Sequence, residues 1–268
     1  MLDLFQPRHT DPLPTFPPPP LHTHSSPFFI DAEDPQRELI EPAVMGTINV
    51  LKSAGRATHR PRVVLTSSVA AVHGEYAAPP ANGGDLYTCD DWNESSTVEG
   101  GQAYHVSKTR AEREAWRVAG ELGLDLRAVC PNFVLGPVIS PSACGTSVGY
   151  VKAMVEGGRI EGAPIVCDVR DVALAHIRAA TLEAASGRYI VSHAAPVLPA
   201  TVAAALAAGL PPGARLGEVV PPAEAGAGRP RIDASRTADE LGVVPRPVEE
   251  TIADMARSLV AVGLAKVG

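Results

Sequence analysis

The chain reads as an α/β protein built on a doubly wound parallel sheet. Three observations predict this. Short, nearly continuous apolar runs such as Val63-Val64-Leu65 suit strands covered on both faces. They alternate with longer stretches carrying helical stripes, the order expected of strands joined by crossover helices. The length of 268 residues, with 45% hydrophobic and 20% charged residues, suits one large α/β domain or a main domain with a smaller lobe.

The elements follow in order. Prolines at 7, 12, 14 and 17–20 leave no room for a helix or a central strand, so residues 1–24 read as an extended or disordered tail. Order is expected from about Pro27-Phe28-Phe29-Ile30. Asp34-Pro35 offers an N-cap with a first-turn proline, and Glu41-Pro42 offers a second helix start. Val44, Ile48 and Leu51 then form a stripe that Gly55 can close. A buried strand follows over 62–68. The strongest helix spans 103–122, with Ala111, Ala115, Val118, Ala119 and Leu122 on one face and Gly123 as its stop. The next strand covers 124–130 and ends at Pro131. Beyond it the pattern predicts a helix over 147–156, a strand over 164–166, a helix over 169–182 and a strand over 188–192. An Ala-rich helix over 198–208, a loop rich in Pro and Gly over 210–230 and a final helix over 248–262 complete the chain as part of a smaller lobe.

Several function classes are disfavoured. A net charge of -7 argues against nucleic acid as a partner. No apolar run reaches the length of a membrane span. Cys89, Cys130, Cys144 and Cys167 are scattered without C-x-x-C spacing, which disfavours structural zinc and a disulfide framework and favours a reducing, cytoplasmic location. The tail has neither a secretion signal's apolar core nor the pattern of a transit peptide. His22 and His24 lack carboxylate or thiolate companions, so no metal site is expected there.

Chemistry concentrates around Tyr104-His105-Val106-Ser107-Lys108. On one helix, Tyr104 and Lys108 share a face, which sets an ammonium beside a phenol. That charge is expected to lower the tyrosine pKa toward neutrality, suiting it to exchange a proton with a carbonyl or hydroxyl oxygen. Ser68, just past a strand, lies where ligands bind in open α/β folds and can hold the same oxygen.

Thr66-Ser67-Ser68, Tyr104 to Lys108, Pro131-Asn132-Phe133-Val134-Leu135-Gly136-Pro137 and Asp168-Val169-Arg170-Asp171-Val172-Ala173 occur in that order. Together with Glu41-Pro42-Ala43-Val44 and Ala111-Glu112-Arg113-Glu114-Ala115-Trp116, the series resembles the extended short-chain dehydrogenase/reductase superfamily (the NAD-dependent epimerase/dehydratase family). The likeness is greatest to its branch of cinnamoyl-CoA and dihydroflavonol reductases. The resemblance implies a Rossmann-like doubly wound parallel sheet with a small C-terminal α/β substrate lobe. Residues 25–140 would form a partial dinucleotide-binding core, and 141–268 the substrate lobe with the remaining core elements.

It also implies site roles. Tyr104 would be the general acid, Lys108 its activator and a ligand of the nicotinamide ribose, and Ser68 the anchor of the substrate oxygen. Pro131, Asn132, Phe133 and Val134 would line the nicotinamide, and Thr146 or Ser147 would lie near the cofactor phosphates. Asp168, Arg170 and Asp171 match a motif joining the lobes and are expected to be mainly structural. His105 can face substrate, Trp92 sits in a loop that shapes the pocket, and His176 is expected to be packed or capped.

The family opens with a strand, a Gly-rich turn and a helix that cradle the pyrophosphate. This chain has no glycine before Gly46, so it is expected to be an N-terminally truncated member, an incomplete gene model or a shortened paralogue with poor cofactor affinity. The expected function is an oxidoreductase using NADP, with NAD possible, on a small aldehyde, ketone or acyl-CoA. A sugar-nucleotide epimerase or dehydratase and a non-catalytic truncated member are the alternatives.

Overall fold

The computed structural model describes residues 20–24, 32–74, 80, 83–143, 145–221 and 231–268; of His22 and His24 only the backbone is described. Four parallel strands form the main sheet: β1 (Leu21–His24), β2 (Val63–Thr66), β3 (Leu126–Pro131) and β6 (Gly187–Val191), in the order β1-β2-β3-β6. A second parallel pair, β4 (Phe133–Leu135) with β5 (Val166–Asp168), continues from the end of β3. The helices are α1 (Glu41–Arg56), α2 (Ala103–Leu122), α3 (Thr146–Val155), α4 (Val169–Thr181), α5 (Pro199–Gly209), α6 (Ser235–Leu241) and α7 (Val248–Ala261).

Alternation along β2 explains the layering. Val63 and Leu65 point into one cluster with Leu51 and Ala54 of α1 and Ala115, Val118 and Ala119 of α2. Val64 points the other way, joining Val129, Ala175 and Ala179 of α4, Tyr189 and Leu241 of α6. Both faces of the sheet are thus covered, and all three residues of Val63-Val64-Leu65 are fully buried. A separate apolar cluster unites β4, β5, α3, α5 and α7 around Met154, Ile160, Leu206, Ile252, Met255 and Leu259. Among the described residues no helix is long and apolar enough to cross a membrane.

Four differences from the sequence reading have physical causes. The span read as tail ends earlier: Leu21–His24 is an edge strand in register with Val63–Thr66, with Leu21 against the α1/α2 cluster and Thr23 buried. Its pairing partner lies some forty residues away, so the prolines beside it dominate the local signal. Residues 27–30, where order was expected to begin, fall outside the described residues.

Asp34-Pro35 and Glu41-Pro42 start one continuous helix rather than two. Asp34 Oδ1 accepts from Arg37 N–H (3.2 Å), while Glu38 Oε1 accepts from Asp34 N–H (3.0 Å), a reciprocal cap. Pro42 has no N–H to bond the preceding turn. The helix meets this with a π-turn over Gln36–Ile40, in which Glu41 N–H reaches Gln36 O. Gly55 does not end α1: a Cβ there would stand 2.9 Å from Leu122 Cδ1, so its function is close approach of α1 to α2. Finally, β4 and α6 carry no periodic signal, being three and seven residues long.

Gly209 is a second close approach. A Cβ there would lie 2.2 Å from Ala253 O on α7. Gly209→Ala is therefore expected to destabilise the protein by about 2 kcal/mol by prising α5 from α7, read as a lower midpoint in urea at unchanged slope.

Candidate active site

Each site residue owes its position to the end of a strand or the start of a helix. β2 ends at Thr66, and Ser67 N–H still bonds Val129 O of β3 (2.8 Å), so Ser68 leaves the ladder at the carboxyl rim of the sheet. Ser68 has extended backbone, and its Oγ accepts from Ala70 N–H (3.1 Å), capping a 3-10 turn over Val69–Ala71. The loop before α2 is tied to this turn. Asn93 N–H bonds Ala71 O (3.0 Å), Asn93 Nδ2 bonds Ala70 O (2.8 Å), and Thr109 Oγ1 on α2 reaches the same Ala70 carbonyl (3.4 Å). The start of α2 is thereby fixed over the end of β2.

This brings Ser68, Tyr104 and Lys108 together. The Ser68 hydroxyl is hydrogen-bonded to Tyr104. Because Ser68 Oγ already accepts from Ala70 N–H, its proton is free to point at the phenol. Lys108 Nζ lies 5.5 Å from the centre of the Tyr104 ring, one turn along α2, with Lys108 only 7% exposed.

The expectation about acidity needs correction. Burial raises the Tyr104 pKa above the ordinary phenol value, and the Ser68 hydrogen bond opposes this only in part. Burial also lowers Lys108 to about 8. Loss of solvation outweighs the attraction that the spacing suggested, so the phenol is neutral at physiological pH.

The segment following β3 shares the rim. Pro131 is the last residue of β3. The Asn132 amide is held from both ends, Nδ2 donating to Ser192 Oγ (3.0 Å) and Oδ1 accepting from Phe133 N–H (2.9 Å). Phe133 and Val134 are half-buried. Thr146 and Ser147 open α3 after the cap residue Gly145, which makes no side-chain cap bond, and Tyr150 one turn later meets the Phe133 ring edge-on at 5.5 Å.

Three further expectations have clear geometry. Arg170 Nη2 binds Asp168 Oδ2 (2.7 Å) and Arg170 Nη1 binds Asp254 Oδ2 (2.8 Å), tying the start of α4 to α7. Burial works against the Asp168 carboxylate, but the Arg170 bonds, with help from Thr251, hold its pKa below the usual range. Arg170→Met would strand a carboxylate whose side chain is 0% exposed, an expected loss of about 3 kcal/mol in urea unfolding. His176 is packed: its Nδ1 meets Val172 O at 2.8 Å, so that nitrogen carries the proton and Nε2 accepts from Thr66 Oγ1 at 2.7 Å. Trp92 is stacked between Arg188 (4.0 Å) and Arg113 (5.2 Å).

His105 meets the Tyr104 ring edge-on at 6.0 Å. Burial and the neighbouring His73 push its pKa down to about 4, so it is neutral in the working range. His73 itself went unnoticed in the sequence. Its Nδ1 bonds Gly74 O (2.7 Å), and its buried Nε2 has no partner among the described residues. Also missed was the pair Glu112 and Arg188. The signals were present: Glu112 continues the Tyr104, Lys108 stripe by one turn, and Arg188 is a charge inside a buried strand. Cys89, Cys130 and Cys167 are buried free thiols, and Cys144 lies outside the described residues.

No protein-family model matches the chain. Among curated proteins it is 37% identical over 174 residues to cinnamoyl-CoA reductase CAD2 of Medicago truncatula, covering 63% of this chain and 51% of that protein. It is 33% identical over 182 residues to an anthocyanidin reductase of Vitis vinifera, covering 62% and 52%. Two solved structures superpose on most of the fold. Gre2 of Candida albicans in complex with NADPH gives a TM-score of 0.76 at 26% identity, over 91% of this chain and 78% of that one. The yeast methylglyoxal/isovaleraldehyde reductase Gre2 complexed with NADPH gives 0.74 at 28%, over 90% and 77%. In sequence and in fold the chain is similar to members of the extended short-chain dehydrogenase/reductase superfamily. It spans about half the length of the curated superfamily members it matches. A UDP-glucose 4-epimerase of Thermotoga maritima, at 16% identity and TM-score 0.65, shares the superfamily fold alone.

Proposed function

We propose that the protein is an NADP-dependent oxidoreductase that reduces the carbonyl of a small aldehyde, ketone or acyl-CoA. The observation that carries this reading is the hydrogen bond between Ser68 and Tyr104, with Lys108 beside the same ring, at the carboxyl rim of a parallel sheet. The similarity to reductases solved with NADPH supports it.

The groups present fit the nicotinamide side of such a cofactor. Asn132 is fixed by Ser192 and Phe133, leaving the half-buried Phe133 and Val134 as an apolar wall next to the Ser68 end of the sheet. Tyr104 and Lys108 would hold the ribose, Pro131 to Val134 the ring, and Thr146 and Ser147 at the open start of α3 the phosphates. The bound cofactor would supply a hydride.

The chain's own residues would manage the oxygen. Ser68 donates to the substrate oxygen and sets its distance from Tyr104. The neutral Tyr104 phenol delivers a proton to that oxygen as negative charge develops there. The Lys108 ammonium stabilises the phenolate left behind, and its burial strengthens the attraction in a site of low polarity.

Loss of nicotinamide absorbance with a panel of aldehydes, ketones and acyl thioesters tests the reading. Consumption with at least one class is expected, and none with any class would refute it. The pH profile follows from Lys108. Its lowered pKa means the ammonium is present below about pH 8 and lost above it. The rate kcat/KM for reduction should therefore be flat below about pH 8 and fall tenfold per unit above it, while the raised Tyr104 keeps its proton through that range.

A further inference from the structure

We propose that Ser67, Glu112 and Arg188 are positioning residues, a buried ion pair and hydroxyl that hold the Ser68 oxygen in line with Tyr104. Its kinetic arm rests on the reductase reading above.

Glu112 is 0% exposed and follows Lys108 by one turn and Tyr104 by two, on the same stripe of α2. All of its acceptor capacity is directed inward. Oε2 accepts from Ser67 Oγ at 2.5 Å and from Arg188 Nη2 at 3.2 Å; Oε1 accepts from Arg188 Nε at 2.6 Å and from Trp116 Nε1 at 3.1 Å. Ser67 adjoins Ser68. The carboxylate therefore fastens the end of β2 to the helix that carries Tyr104 and Lys108, about 12 Å along that helix from the phenol.

Arg188 closes the network from β6. Its Nη1 donates to Cys89 O (2.9 Å) and Asp91 O (2.5 Å), its Nη2 reaches Ala71 O (3.4 Å), and its guanidinium stacks on Trp92 at 4.0 Å. Ala71 ends the short turn that begins just after Ser68, and Cys89 to Trp92 belong to the loop leading to α2. One planar cation with five donors thus joins the three segments whose relative placement sets the Ser68–Tyr104 distance. Burying such a pair costs solvation that an apolar pair would not, so stability alone is a poor reason for it. Fixing a donor and an acid within a few tenths of an ångström is the return.

Ser67→Ala is the sharpest probe, because it cuts the link to Ser68 and leaves the Glu112–Arg188 charges paired. With NADPH and a substrate found in the carbonyl panel, Ser67→Ala should lower kcat about tenfold at unchanged KM for NADPH, and Ser68→Ala about a hundredfold. Because Ser67 acts through Ser68, the double variant should be no slower than Ser68→Ala alone. A readout independent of turnover uses tyrosine labelled with carbon-13 at Cζ, the Tyr104 signal being the one lost in Tyr104→Phe. Its titration midpoint should rise in Ser68→Ala, rise in Ser67→Ala, and rise no further in the double variant. Costs that add in both readouts, or a Ser67→Ala protein with wild-type Tyr104 titration, would overturn the proposal. A protein inactive on every carbonyl but showing the coupled titration would instead refute the reductase reading and keep the positioning network.

Discussion

Tyr104→Phe is expected to lower kcat for carbonyl reduction about 10³-fold, with a much smaller loss of NADPH affinity, about fivefold for one ribose hydrogen bond. Phenylalanine keeps the ring against which Lys108 rests and removes only the hydroxyl bonded to Ser68. No fold-wide cost accompanies the change, since the phenol lies at the rim rather than in an apolar cluster. A thermal midpoint close to wild type therefore separates lost chemistry from lost structure. Turnover that survives the substitution would assign the proton to another group.

The second large effect is that of Lys108→Met. Lys108 is buried, and its pKa of about 8 shows that the fold disfavours its charge. Methionine has similar length and no charge to desolvate, so the thermal midpoint should not fall. Activity should nonetheless drop about 10²-fold, because the phenolate formed in the reaction loses its neighbouring cation. The alkaline fall in kcat/KM near pH 8 should vanish in the same variant. A decline that persists there would place the titrating group elsewhere.

The contrast between these two residues and their surroundings shows what the sequence could convey. α2 was legible to the residue, Ala103–Leu122, because its apolar stripe is long and Gly123 stops it in the left-handed region at φ 62°. β2 and α4 were legible for similar reasons of pattern and capping, Asp168 accepting from Arg170 N–H at the start of α4. The strand Leu21–His24 was not, since only its distant partner β2 distinguishes it from the prolines before it. Nor was β4, whose partner Val166–Asp168 lies some thirty residues on.

The candidate site divides in the same way. Tyr104 and Lys108 are one helical turn apart, and Ser68 ends an evident strand, so local spacing suffices to suggest them. Glu112 and Arg188 are 76 residues apart, and nothing local announces their pairing. The acidity of Tyr104 was misjudged because spacing reveals a neighbouring charge but not the burial that opposes it. Electrostatic character is a property of the packed site.

Hydride transfer itself is the most direct test. NADPH deuterated at nicotinamide C4 is incubated with the protein and a substrate from the aldehyde, ketone and acyl thioester panel, and the product is examined by mass and NMR. Deuterium at the former carbonyl carbon, present with the wild type and absent with Tyr104→Phe on the same timescale, is the predicted result. Product without deuterium from either C4 face, or label delivered equally well by Tyr104→Phe, would contradict the account.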